Sequence, residues 1–70
     1  MKINHLNRND EVLIKRNVTT LEGFKIAENT LVVITGADYE GEEVIYNFEV
    51  KVDGYTKEVS LYSFQVEEVI

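Results

Sequence analysis

Asp38, Glu40, Glu42 and Glu43 place four carboxylates within six residues of the stretch ADYEGEEVIY. Carboxylates at this density can hold a metal, work as acid and base, present negative charge to a cationic partner, or keep a loop in water. Asp38, Glu40 and Glu42 alternate, and Glu49 follows Asp38 by eleven residues, the span from first to last ligand of a calcium loop. Such a loop needs glycine at its sixth position, where this chain has Glu43, and it needs flanking helices where strands are expected. No metal site and no cofactor are expected.

Acid-base catalysis requires carboxyl groups whose pKa values are pushed apart by burial. These acids stand beside glycines or alternate with apolar residues that face the other way. The chain has no Cys, two Ser (Ser60 and Ser63) and one His (His5), which lies in an irregular N-terminal stretch without a partner for a triad. The four glycines, 23, 36, 41 and 54, are spread through turns rather than gathered into a phosphate-cradling loop. Asn17-Val18-Thr19 matches a glycosylation acceptor by chance. A non-enzymatic protein is expected.

Charge is segregated along the chain. Residues 1 to 35 carry five basic side chains against four acids; residues 36 to 70 carry two, Lys51 and Lys57, against nine. The second half also holds Tyr39, Tyr46, Phe48, Tyr55, Tyr62 and Phe64. Aromatic rings on a small β-barrel can stack bases, but gripping a polyanion draws on Lys and Arg. Neither direct nucleic-acid binding nor an anionic membrane surface suits this field, whereas a basic protein partner does.

Seventy residues make a single domain, 1 to 70, close to the lower limit of independent stability. The start MKINHLNRND has no apolar core of a signal peptide, and the longest apolar run, Leu31 to Ile34, is far too short to span a bilayer. With no Cys, a reducing cytoplasmic location is expected.

The elements that must position the acids read as β. Asp53-Gly54 between EEVIYNFEVKV and YTKEVSL is a two-residue hairpin signal. It sets Val52 opposite Tyr55, Val50 opposite Lys57, Phe48 opposite Val59 and Tyr46 opposite Leu61, an apolar face. The other face then carries Ile45, Asn47, Glu49 and Lys51 against Thr56, Glu58 and Ser60, with Glu49 opposite Glu58. Residues 10 to 16 and 29 to 35 read as two further strands, the second buried on both faces. Phe24-Lys25-Ile26 alternates as a short strand, and ADYEGEEVIY reads as a solvated loop or turn entering the hairpin strand. Phe64 to Ile70 reads as a last strand after a helical turn at Leu61-Tyr62-Ser63. The expected fold is all-β, a five- to six-stranded antiparallel barrel or curled sheet. Val66, Val69 and Ile70 at the chain end suggest a homodimer that covers them.

This order of elements resembles a Src-homology-3-like (SH3-like) barrel. The resemblance rests on Asp10 to Ile14 as first strand, a diverging loop through Leu21-Glu22-Gly23 and Leu31 to Ile34 as second strand. It continues with the Asp53-Gly54 hairpin and the turn at Tyr62-Ser63. The chain has no Trp and no Pro, so the resemblance implies the fold and not recognition of proline-rich peptides. By size and by its carboxylates the chain is also similar to small acidic phage proteins that inhibit host DNA-binding proteins, including the nucleoid protein HU. That similarity implies a DNA mimic that binds a basic DNA-binding protein and blocks its DNA binding. Partner-binding residues are then expected among Asp38, Tyr39, Glu40, Glu42, Glu43, Glu49, Asp53 and Glu58. The alternative expectation is an SH3-like protein-interaction module that works through exposed tyrosines.

Overall fold

The computed structural model describes residues 7–70. His5 lies outside them. Six strands, β1 (Glu11–Ile14), β2 (Val18–Thr19), β3 (Lys25–Ile26), β4 (Thr30–Glu40), β5 (Glu43–Val52) and β6 (Tyr55–Tyr62), precede one helix, α1 (Ser63–Val69). The strands form an antiparallel four-stranded sheet in the order β1-β4-β5-β6 and a separate β2-β3 pair. Of the two expected arrangements, the chain takes the open sheet, and neither sheet closes into a barrel.

Two tight turns build the long β4-β5-β6 meander. At the second, Asp53 and Gly54 both have positive φ (41° and 89°), the requirement of a primed turn whose twist matches the strands it joins. The register that follows is the expected one, Val52 opposite Tyr55 through Tyr46 opposite Leu61. The first turn is a departure. The turn between strands is shorter than expected: β4 runs on to Glu40, which pairs with Glu43 across Gly41-Glu42. Gly41 has φ 62° at the first turn position, the place glycine takes in a type II′ hairpin. Charge density signalled a loop, whereas the glycine position and the tyrosine-rich alternation on either side favoured a hairpin.

One sheet face makes the core. Val12 and Ile14 from β1, Val32 and Ile34 from β4, Phe48 and Val50 from β5, and Val59 and Leu61 from β6 are all buried there. Ile26 joins them from β3, and Val66 and Val69 from α1. The strand at Thr30 to Ile34 is therefore not buried on both faces as its apolar run suggested. Leu31 is 59% exposed and Val33 half-buried, because among the described residues the opposite face is left open at this end of the sheet, although Ile45 further along it is buried.

The last segment is a helix and not a strand. Phe64 and Val66 alternate as in a strand, but Val66, Val69 and Ile70 keep i, i+3, i+4 spacing, and Val66 and Val69 are the residues buried. The Gln65 side-chain carbonyl accepts the Tyr62 backbone N–H at 3.0 Å, fixing the helix start. Since this chain's own core buries Val66 and Val69, the apolar C-terminal residues do not need a second copy to cover them.

Both outer strands are tied down. At the β6 edge, Leu21 N–H donates to the Ser60 carbonyl at 2.9 Å, and Ser60 N–H donates to the Glu22 carboxylate at 2.8 Å. On the other side, Lys15 N–H after β1 donates to the Val69 carbonyl at the end of α1. These bonds blunt edges that would otherwise recruit further strands.

Candidate acidic interface on the open sheet face

Strand pleating decides which carboxylates stand together, because directly paired residues share a face and the pattern repeats every second residue. On the face turned away from the core, the register gives a cross-strand row Glu11, Val33, Glu49, Glu58. A neighbouring row holds Leu13 opposite Leu31, and further along come Lys51 opposite Thr56. Toward the β4-β5 turn, Asp38 and Glu40 lie on the same face with Ile45 and Glu43, their register partners. Glu43 and Glu49 stand six residues apart on β5, about 20 Å at the usual strand rise. Among the described strand residues this face thus carries six carboxylates, Glu11, Asp38, Glu40, Glu43, Glu49 and Glu58, with Lys51 as the basic residue.

Neutral donors hold part of this array. Asn47 donates through Nδ2 to Asp38 Oδ2 at 3.0 Å and accepts the Ser60 hydroxyl at 2.8 Å. Thr35 Oγ1 donates to Glu58 Oε2 at 3.1 Å, from the point where the β4-β5 register shifts between Ile34 and Gly36. Such a shift inserts an extra residue and bends the strand. These bonds orient the carboxylates of Asp38 and Glu58 and leave their formal charge intact.

Five of the eight residues expected to bind a partner lie on this face: Asp38, Glu40, Glu43, Glu49 and Glu58. Glu42 and Asp53 sit in the turns at the two opposite ends of β5. Tyr39 alternates to the other face, where it pairs with Val44 and is 80% exposed. Sequence reasoning missed Glu11, which belongs to the half of the chain with little net charge. Its position next to Val12 in a strand was the available signal, and the β1-β4 pairing brings it beside Val33.

Glu22 is the acid with a structural task. Partial burial pushes its carboxyl up, but hydrogen bonds from the Ser60 backbone, its own N–H and the Ser60 and Thr20 hydroxyls outweigh this. Its pKa is left below the ordinary glutamate value. Among the described residues, no group of three His, Cys, Asp or Glu side chains is arranged to hold a metal, and no helix is long and apolar enough to cross a membrane.

Hollows among the described residues include two of note. One of about 500 Å³ lies beside the β2-β3 pair, lined by Asn17, Val18, Thr19, Lys25, Ile26 and Ala27, with no carboxylate. The other, of about 270 Å³, lies within the acidic face, where Leu31 and Val33 form an apolar floor beside Glu11, Glu49, Lys51 and Thr56. Comparisons with protein-family models, curated proteins and solved structures found no match to this chain.

Proposed function

We propose that this protein is a non-enzymatic acidic binder whose open sheet face docks on a basic DNA-binding protein, such as a nucleoid protein of the HU type, and blocks its DNA binding. The observation that carries this reading is the gathering of Glu11, Asp38, Glu40, Glu43, Glu49 and Glu58 on one sheet face. Within a strand, carboxylates two residues apart stand about 6.7 Å apart, twice the strand rise, as Asp38 and Glu40 do on β4. A protein groove built to grip phosphates meets in this face a regular field of the same sign. Long-range attraction speeds the encounter, and added salt weakens it. The test is displacement: labelled duplex DNA is bound to a purified HU-type nucleoid protein at low salt, and the chain is titrated in. Release of DNA, suppressed as salt rises, supports the reading; DNA that stays bound at saturating chain sinks it.

A second reading, an SH3-like protein-interaction module, is favoured by the exposed aromatic residues. Tyr39 and Tyr55 are exposed, and the exposed Phe64 ring stacks on Tyr62 with centroids 5.3 Å apart. Partner binding by such a module survives neutralisation of the acidic face and fails when Tyr39 or Tyr62 is replaced.

A further inference from the structure

We infer that the acidic face selects arginine: an arginine of the partner lays its methylene stem across Leu31 and Val33 and places its guanidinium at the paired carboxylates of Glu49 and Glu58. This rests on the reading of the face as a surface for a basic protein and adds the side chain it recognises. Three observations carry it.

The apolar strip is on the wrong side of the sheet for the core. Leu13 and Leu31 pair directly and both are exposed, while Val33, two residues after Leu31, stands on the same face between Glu11 and Glu49. The strip is rimmed by Glu11 and Glu49, with Lys51 at one side of the hollow, so it suits a side chain that is apolar along its stem and carries its cationic tip to the carboxylates, away from Lys51. The hollow, at about 270 Å³, lies at the lower end of the roughly 300–1,000 Å³ typical of small-molecule sites and has room for a long side chain. A second copy of this chain is a poor occupant, because it brings the same carboxylates against the face.

Glu49 and Glu58 provide the fork. Ser60 turns its N–H and carbonyl outward to Glu22 and Leu21, so Asn47 and Ser60 form a non-hydrogen-bonded pair. By alternation Glu49 and Glu58 form another, the kind in which facing side chains lie closest. Two carboxylates side by side offer acceptors to a planar guanidinium with several N–H groups, whereas an ammonium is a compact point charge. Thr35 holds the Glu58 carboxylate in advance.

The test is a two-dimensional amide NMR titration of the full chain at low salt with capped tri-arginine and, separately, capped tri-lysine. The expected result is saturable shifts centred on Leu31, Val33, Glu49 and Glu58, with tri-arginine binding about fivefold or more tighter than tri-lysine. Leu31→Ser and the double variant Glu49→Gln/Glu58→Gln, all at exposed positions, bring the two peptides level. Glu67→Gln/Glu68→Gln on α1 leaves the preference unchanged. Equal affinities in the wild type, shifts centred on Glu40 to Glu43, or a preference that survives Leu31→Ser overturns the inference. Displacement of DNA from the nucleoid protein is read separately. Arginine selection without displacement supports this inference and sinks the proposed function; displacement without arginine selection does the reverse.

Discussion

Glu49 and Glu58 face each other directly across the β5-β6 pair, on the sheet face away from the core, although facing like charges destabilise a sheet. Thr35 holds Glu58 through a hydrogen bond, but the facing of the two carboxylates itself works against the sheet. The charge of a cationic partner would relieve the repulsion on binding.

Replacing one member of this pair therefore separates stability from binding. Glu49→Gln is expected to raise unfolding stability by a few tenths of a kcal/mol, the scale of a relieved cross-strand repulsion, while weakening attachment to a basic partner. Urea denaturation and the DNA-displacement titration on the same variant check both signs. A variant that loses stability has lost a favourable contact and contradicts the repulsion.

Acid should loosen the β6 edge through Glu22. Its folded pKa lies below the ordinary value of 4.5, so its contribution is present above that value and is lost as pH falls through the folded pKa. Because the group is largely exposed, the effect is small and screened by solvent. Wild-type protein is expected to lose more stability than Glu22→Gln between pH 6 and about 3. The protection of the Ser60 amide, whose N–H the carboxylate accepts, should fall over the same window once exchange is scaled to its intrinsic rate at each pH. Parallel pH profiles for the two proteins would remove Glu22 from the account.

Phe48 is fully buried at the centre of the core. Phe48→Ala is expected to cost about 3–5 kcal/mol, most of the stability available to a domain this small. Tyr39→Ala, at an exposed position on the β4-β5 arm, should stay within about 0.5 kcal/mol of wild type. Thermal melts of the two variants side by side make the comparison.

Gln65→Ala removes the acceptor that the Tyr62 N–H uses at the start of α1. The loss is expected to be about 1 kcal/mol, with the helical signature at Ser63 to Val69 weakened first. Extended-strand chemical shifts across Phe64 to Ile70 in the wild type would instead restore the reading of this segment as a strand.

The same segment explains what the sequence could and could not tell. Asp53-Gly54 fixed a whole hairpin because turn chemistry is local, and the Glu49-Glu58 pairing followed by counting outward from it. Phe64 to Ile70 misled because its spacing fits both periods, and the choice was made by burial against β5 and β6, which is not local. Leu31 and Val33 were read as doubly buried because an apolar run does not reveal whether a second layer exists. The acidic face itself was half legible: counting from the Asp53-Gly54 turn placed Glu49 and Glu58, but Asp38 and Glu40 join it through the longer β4-β5 hairpin and Glu11 through pairing between residues far apart in sequence.

Arrangement, rather than net charge, is the central claim, and two quadruple variants of equal charge separate them. Glu11→Gln, Asp38→Asn, Glu49→Gln and Glu58→Gln neutralise the face. Glu28→Gln, Asp53→Asn, Glu67→Gln and Glu68→Gln neutralise exposed acids off it. Each set removes four negative charges from the wild-type −6. In the displacement of duplex DNA from an HU-type nucleoid protein, the off-face variant is expected to act nearly as well as wild type and the face variant to fail. Equal loss in both would mean that total charge alone drives the effect, and the face would not be the site.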